Sequence, residues 1–287
     1  MKYYVLYNPL AGHGTHHNYL EELGGILDGE VSTCDITTIA DCAGFISELA
    51  ADDKIVLCGG DGTLNRFINL IDAEGLENEV YYFASGSGND FLHDIAENGE
   101  KKPILINKYL KNLPTVTVNG KMHKFINGVG YGIDGYCCEV GDLQRATSDK
   151  PVNYTSIAIK GLLFDYKPTN ATVYVDGKEY TYKKVWIAPT MNGRFYGGGM
   201  MAAPEQDRLN EERTLSLVIL HNSGKIGTLM TFPGIFKGEH VKKKNVTVHT
   251  GREVTVKFDR PTSLQIDGET ILSVTEYTAR AGVTAKV

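Results

Sequence analysis

The sequence contains no run of 18 apolar residues, so it offers no helix able to span a bilayer. It has no excess of positive charge. The 29 Lys and Arg stand against 35 Asp and Glu, a net charge of −6 that argues against nucleic acid as the main partner. The five cysteines, Cys34, Cys42, Cys58, Cys137 and Cys138, are odd in number and lack metal-ligand spacing, so a reducing cytoplasm is expected. There is no internal repeat, no low-complexity linker and no signal peptide. The opening stretch Met1-Lys2-Tyr3-Tyr4-Val5-Leu6-Tyr7-Asn8-Pro9 turns polar too quickly for a leader and reads as a first β-strand. What is there suits a globular enzyme: 287 residues, enough for two domains or one large one, with 42% hydrophobic and 22% charged residues.

The most informative stretch is 54–65, Lys-Ile-Val-Leu-Cys-Gly-Gly-Asp-Gly-Thr-Leu-Asn. Residues 55–58 have the length and β-branched content of a buried parallel strand. They run into Gly59, Gly60, Asp61 and Gly62, and then into 63–71, whose apolar spacing suits a helix. Glycines between a strand end and a helix start let the backbone turn sharply and approach a ligand. The helix start leaves N–H groups for an anion such as phosphate. A carboxylate there would repel phosphate unless a cation lay between, so Asp61 suggests magnesium as well as nucleotide. A plain turn with an Asp cap is the alternative.

The chain changes character near residue 112. Before it, strand-like runs at 3–7, 36–39, 55–58 and 80–84 alternate with helical patterns at 16–27, 41–51 and after Gly62. That alternation predicts a doubly wound α/β layer with nucleotide at the carboxyl ends of the strands. After it, hairpin signals dominate. Asn119-Gly120 and Asp176-Gly177 each follow an alternating run, and 246–248 and 254–256 flank Thr250-Gly251 in the same manner. The second region is therefore expected to be mainly antiparallel β and sandwich-like, with helices near 139–146 and 153–164. The expected domains are 1–112 for nucleotide and 113–271 for substrate, with 272–287 as a tail that can return to the first.

A second glycine loop, Ser85-Gly86-Ser87-Gly88-Asn89-Asp90-Phe91, follows the strand at 80–84. Two such loops on consecutive parallel strands, each with an Asp, converge on one crevice. Asp61 and Asp90 are thus the expected ligands of one hydrated magnesium ion; Asp90 also suits a helix N-cap.

With these motifs in place, the chain resembles the diacylglycerol kinase catalytic family of bacterial lipid kinases, related to sphingosine and ceramide kinases. The resemblance runs nearly end to end: Asn8-Pro9-Leu10-Ala11-Gly12, the two glycine loops, Phe125-Ile126-Asn127, Gly130-Tyr131-Gly132-Ile133-Asp134, Asn192-Gly193, Gly197-Gly198-Gly199-Met200, Lys237-Gly238-Glu239-His240 and Asp267-Gly268-Glu269. It implies an ATP- and magnesium-dependent kinase with its active site in a cleft between domains. The implied nucleotide contacts are Asn8, Pro9, Gly12, Thr38, Gly59, Gly60, Asp61, Gly62, Thr63, Asn65, Gly86, Ser87 and Asn89. The implied proton acceptor is Glu269, with Asp267 as the second candidate; read without the resemblance, Asp267-Gly268 is a hairpin turn. The implied partners are ATP and a lipid hydroxyl, diacylglycerol-like, in phospholipid biosynthesis, and the resemblance admits a homodimer and peripheral membrane contact. A kinase of a soluble small molecule and a non-catalytic nucleotide- or lipid-binding protein are the alternatives.

The chain departs from the family pattern in three places. Arg66 stands where Glu is usual, 115–118 lacks an Asp that many relatives carry, and 210–215 reads Asn-Glu-Glu-Arg-Thr-Leu where Asp-Asp-Gly-Lys-Leu is common. Other features read as ordinary surface. His13, His16 and His17 suit solvent better than metal. Lys242, Lys243 and Lys244 fit a solvated turn, or steering towards anionic lipid. Gly197, Gly198 and Gly199 fit a tight bend or the floor of an acceptor pocket.

Overall fold

The computed structural model describes residues 1–9, 16–71, 75–86, 88–96, 102–148 and 152–282. Gly12, His13 and Ser87 lie outside the described residues, as do the side chains of His16 and His17. The chain divides into two compact units, Met1–Leu113 and Pro114–Val287.

The first unit runs β1 (Lys2–Tyr7), α1 (His16–Ile26), β2 (Glu30–Asp35), α2 (Cys42–Ser47), β3 (Lys54–Gly59), α3 (Asp61–Leu70), β4 (Glu79–Ala84), α4 (Asp90–Ile95), β5 (Ile104–Leu105) and α5 (Asn107–Leu110). Its sheet has the order β2-β1-β3-β4-β5. Strands β1 to β4 are parallel and β5 pairs antiparallel at the edge. Ile55, Val56 and Leu57 of β3 are fully buried, as an uninterrupted apolar run in a central parallel strand requires.

The strand expected at 36–39 is not there; β2 ends at Asp35. An edge strand with polar, half-exposed residues has no apolar signature, which is why the apolar residues after it misled the reading. Asp35 terminates it by accepting from Thr37 N (2.8 Å) and Thr37 Oγ1 (2.7 Å), a side-chain-closed turn.

The second unit runs β6 (Thr115–Val118), β7 (Lys121–Lys124), β8 (Gly128–Tyr131), α6 (Ile133–Thr147), α7 (Tyr154–Lys160) with a π-helical turn at Gly161–Asp165, β9 (Thr169–Val175), β10 (Lys178–Val185), β11 (Thr190–Met191), β12 (Phe195–Tyr196), β13 (Met200–Met201), β14 (Leu215–Leu220), α8 (Lys225–Thr231) with 3-10 turns at Phe232–Lys237 and Glu239–Lys242, β15 (Val246–Gly251), β16 (Glu253–Ile266) and β17 (Glu269–Arg280). The parallel layer followed by an antiparallel one is the architecture expected from the sequence. Residues 272–280 of the C-terminal stretch lie in β17, paired with β16 and β6.

Two hairpins form where expected. Asn119 and Gly120 have φ of 50° and 74°, and Asp176 and Gly177 have 49° and 80°, the left-handed pair that a tight two-residue hairpin needs. Thr250-Gly251 is not a hairpin. β15 pairs with β14, whereas β16 pairs with β9, β17 and β8. The Asp176 carboxylate takes over the link by accepting from Arg252 N and Glu253 N, each at 2.8 Å, so the chain crosses to a new neighbour.

Strand β16 is shared by two parts of the sheet. Val254–Phe258 pair with β9 and Leu264–Ile266 with β8, and the register with β17 shifts between Lys257 and Thr262. Pro261 sits in that break, where it has no ladder N–H to withhold. One apolar cluster, with Val129, Tyr131, Val173, Leu217 and Val256, fills the sheet interior. A second, built on Trp186, Ile133, Ile157, Leu162 and Ile235, lies under the helices.

Helix α6 touches β16 backbone to backbone. A Cβ on Gly135 would stand 1.8 Å from the Ser263 carbonyl oxygen. Gly135→Ala is expected to destabilise the protein by about 3 kcal/mol, the upper part of the overpacking range. A urea midpoint equal to that of the wild type would refute this contact.

Candidate functional site

In the first unit the two glycine loops leave the carboxyl ends of neighbouring strands β3 and β4. They pack on each other through glycine. A Cβ on Gly86 would lie 2.6 Å from Gly60 Cα, and one on Gly59 would lie 2.2 Å from Thr63 Oγ1. Ser85 N donates to Gly59 O at 2.9 Å. The glycines therefore serve loop-on-loop contact in the first place. Asp61 locks the pair: Oδ2 accepts from Asp90 N (2.9 Å) and Oδ1 from Phe91 N (3.0 Å), so the carboxylate of one loop caps the helix that follows the other.

Asn89 completes the loop in the left-handed conformation, φ 49°, with Nδ2 donating to Gly86 O at 2.7 Å. Among the described residues its Oδ1, Thr63 Oγ1 and the Tyr82 hydroxyl are buried without a hydrogen-bond partner. Burial first, then the carboxylates of Asp61 and Asp90, drives the Tyr82 phenol well above its usual range, which places both acids near that ring. Asp90 itself is buried. Buried Asp90 and half-buried Asp61 beside these polar atoms fit a cation with its phosphate oxygens, since magnesium takes only one or two protein carboxylates and fills its octahedron with phosphate and water. Among the described residues no group of three or more His, Cys, Asp or Glu could hold a metal without such outside ligands.

Asn65 is buried on α3, with its backbone and side-chain oxygens towards Asn69 Nδ2. Gly62 is exposed at the start of that helix. Asn8 and Pro9 are half-buried after β1, and Thr38 is engaged by its own turn, Oγ1 donating to Asp35 O at 2.9 Å. Arg66 is exposed and near Cys42 of α2, whose thiol it pulls down against a larger effect of burial.

In the second unit Asp267-Gly268 is a hairpin turn, φ 47° and 97°, joining β16 to β17. It is also an anchor. Asp267 Oδ2 accepts from Ile126 N (2.7 Å), and Oδ1 from Asn127 N (2.8 Å) and Gly128 N (3.0 Å). The same loop is held from its other side by buried Arg208, whose Nη1 donates to Ile126 O and Nη2 to Asn127 Oδ1, and by Asn192 Nδ2 to Ile126 O. The Phe125-Ile126-Asn127, Asn192-Gly193 and Asp267-Gly268-Glu269 motifs are one interlocked assembly. Asp267 thus anchors the 126–128 loop, and Glu269 stands exposed at the start of β17.

Glu269 and Asp134 share a neighbour on α6. Burial lifts the Cys138 thiol to about 12, followed by Asp134 and Asp142, with Glu269 a smaller contributor. Asp134, in the first turn of α6, is 8% exposed. Burial raises its carboxyl to about 7, opposed in part by the neighbouring Tyr196 hydroxyl. Among the described residues neither Asp134 Oδ2 nor the Tyr196 hydroxyl has a well-directed hydrogen-bond partner, although each lies close enough to the other to influence it. Sequence reading quoted Asp134 only as part of a glycine motif and passed over Arg208; the polar Asp in an otherwise apolar helix start was the available signal. The Gly197-Gly198-Gly199 run is the bend between β12 and β13, with φ of 62°, 84° and 99°.

Residues 2–118 match the diacylglycerol kinase catalytic domain, and residues 127–281 match the YegS C-terminal NAD kinase beta sandwich-like domain. The chain belongs to the diacylglycerol kinase catalytic family. It is 22% identical to YtlR of Bacillus subtilis, which carries a lipid-kinase name, over 96% of this chain and 95% of that protein. It is 24% identical to a diacylglycerol kinase of Mycobacterium tuberculosis over 90% of this chain and 84% of that one. A crystal structure of a diacylglycerol kinase from Bacillus anthracis shares the fold, with a TM-score of 0.59 at 17% identity over 98% of this chain and 94% of that one.

Asp267→Asn keeps the turn but sets an amide N–H2 against Ile126 N–H, and is expected to cost about 2 kcal/mol or more, whereas Glu269→Gln leaves stability unchanged. Equal melting temperatures for the two variants would refute the anchor. Asp134 makes a second, pH-dependent signature. Its carboxyl is raised in the folded state, so stability falls as pH rises from about 4 to about 7 and is level above, a loss on the order of 4 kcal/mol. Asp134→Asn should remove that slope and be the more stable protein at pH 8; parallel melting profiles for variant and wild type would exclude a buried acid of this kind.

Proposed function

We propose that the protein is an ATP- and magnesium-dependent kinase that phosphorylates the hydroxyl of a lipid, diacylglycerol-like. The observation that carries this reading is the stapled pair of glycine loops, in which Asp61 fixes the loop after β4 and leaves Thr63 Oγ1 and Asn89 Oδ1 as buried polar atoms for a ligand. Family membership supports the lipid acceptor, as do the names of its relatives.

In this reading Asp61 and Asp90 hold magnesium. When bound, the ion neutralises the phosphate charge that builds during transfer. The backbones of Gly59, Gly60, Gly62, Gly86 and Gly88, which carry no Cβ, would approach the phosphates. The acceptor oxygen forms its bond to the γ-phosphorus as the bond to the bridging oxygen of ADP breaks. Glu269 receives the hydroxyl proton. Asp267 does not take part in that step; it fixes the turn from which Glu269 projects, through Ile126, Asn127 and Gly128.

The test is phosphoryl transfer from ATP to dispersed diacylglycerol and to a panel of soluble alcohols, with and without magnesium. Magnesium-dependent labelling of the lipid is expected. Glu269→Gln should lose about 100- to 10,000-fold in turnover, the usual contribution of a general base, with ATP binding intact. Thermal stabilisation by ATP should be weak without magnesium and strong with it, because two acids otherwise oppose the triphosphate. Equal stabilisation in both conditions would remove Asp61 and Asp90 as ligands. Labelling of soluble alcohols alone would move the substrate to a soluble molecule, and no labelling of any acceptor would favour a binding protein.

A further inference from the structure

Glu269 begins β17, and its two chain neighbours are each gripped by a side chain that the proposed reaction does not use. On one side Gly268 N donates to Gln265 Oε1 at 2.6 Å. On the other, Thr270 Oγ1 donates to Asp142 Oδ2 of α6, also at 2.6 Å. The backbone alone holds this tip weakly. Between the register break and the turn, β17 keeps only the pairs Leu264 with Ile271, Gln265 with Thr270 and Ile266 with Glu269. Among the described residues 269–271 pair with β16 alone, since β17 meets β6 at 277–280. So short a one-sided ladder frays unless side chains fix it.

Both grips have a built setting. A Cβ on Gly135 would meet the Ser263 carbonyl oxygen, Ser263 Oγ donates to the Glu139 carboxylate, and Asp142 takes Thr270. Positions 135, 139 and 142 are four and three residues apart, so they form one stripe of α6 along the hairpin. The first two contacts fix the helix on β16. The third adds little to that, because Asp142 is 45% exposed and a bond so open to water contributes little stability. What distinguishes it is place: it ends one residue from Glu269. Arg145 pairs with the same carboxylate and lies over the Tyr154 ring, 6.0 Å from its centroid, which restrains Asp142.

Gln265 is buried and stands opposite Thr270 across the hairpin, so the two side chains share a face. A Cβ on Gly130 of β8 would stand 2.5 Å from Gln265 Nε2. Gly130 has no positive φ to call for a glycine, so clearance for this amide accounts for it.

We propose that Gln265 and Asp142 are positioning residues for Glu269, clamping the backbone on either side of it so that the exposed carboxylate meets the acceptor hydroxyl. The inference rests on the reading of Glu269 as proton acceptor. Such a carboxylate works only within hydrogen-bond reach, and a displacement of about 1 Å costs on the order of a hundredfold.

Gln265→Ala, Asp142→Ala and Thr270→Val should each lower kcat by about tenfold to a hundredfold with KM for ATP unchanged. Asp142→Asn keeps an oxygen for the Thr270 hydroxyl and should recover most of the loss. Asp142→Ala and Thr270→Val remove two ends of one bond, so together they should lose no more than either alone. The deciding comparison uses the Glu269→Gln background, where Asp142→Ala should cost nothing further because its effect passes through Glu269. A full second loss there, or wild-type kcat in the three single variants, overturns the proposal.

Hydrogen exchange reads the clamp without a substrate. The Gly268 amide in Gln265→Ala, and the 269–271 amides in Asp142→Ala, should exchange about tenfold faster, the loss of one hydrogen bond. Unchanged exchange overturns the clamp whatever the turnover. Wild-type turnover by Glu269→Gln, or no turnover of any acceptor by the wild type, rejects the proton-acceptor reading and the positioning role with it. An inactive Glu269→Gln beside fully active Gln265→Ala and Asp142→Ala rejects the positioning role alone.

Discussion

Asp267 lies 139 to 141 residues from the three backbone N–H groups that its carboxylate accepts. The loop it holds cannot satisfy those donors by itself, because Ile126 and Asn127 precede β8 and have no ladder partner there. A buried N–H left without an acceptor costs roughly as much as a lost hydrogen bond, and three in a row would leave the loop without a preferred position. One ionised carboxylate supplies all three acceptors, with the shorter, stronger geometry that charge gives. The same device recurs in the first unit, where Asp61 accepts from Asp90 N and Phe91 N, and at the crossover after β15, where Asp176 accepts from Arg252 N and Glu253 N. The irregular segments of this protein are organised by aspartates acting on distant backbone.

That device sets the roles of the acids. A carboxylate whose oxygens are engaged by two or three N–H groups is a poor proton acceptor, because protonation would break the bonds it makes. In the proposed reaction Glu269, favoured from the start by the resemblance, is the proton acceptor, and Asp267 fixes the turn before it. Asp61 differs in degree. Its two oxygens each accept one backbone N–H across the loops. The glycines follow the same logic. Gly60 and Gly86 meet with no room for a Cβ, so the loop pair is closed by packing before any ligand arrives.

Much of this was legible in the chain. Central parallel strands announce themselves as apolar runs, and Asn-Gly and Asp-Gly pairs announce hairpins, because both signals are local. What failed was nonlocal. Edge strand β2 has too little burial to show a pattern, and Thr250-Gly251 looks like a turn until Asp176 claims the N–H groups beyond it. The hairpin at Asp267-Gly268 was readable, but its hold on the 126–128 loop was not, since nothing near Asp267 in sequence reveals a partner more than a hundred residues away. Arg208 was missed for the same reason: its partners, Ile126 O and Asn127 Oδ1, are distant in the chain.

Asp134 is the remaining departure from what stability alone would choose. Asp61, Asp176 and Asp267 accept from backbone N–H groups, whereas buried Asp134 has the Tyr196 hydroxyl as its polar neighbour. An asparagine or an apolar residue would fit the start of α6 without the charge cost. The surrounding Tyr166, Tyr196 and Cys137 shell is apolar enough to hold the carboxyl near neutrality rather than to relieve it.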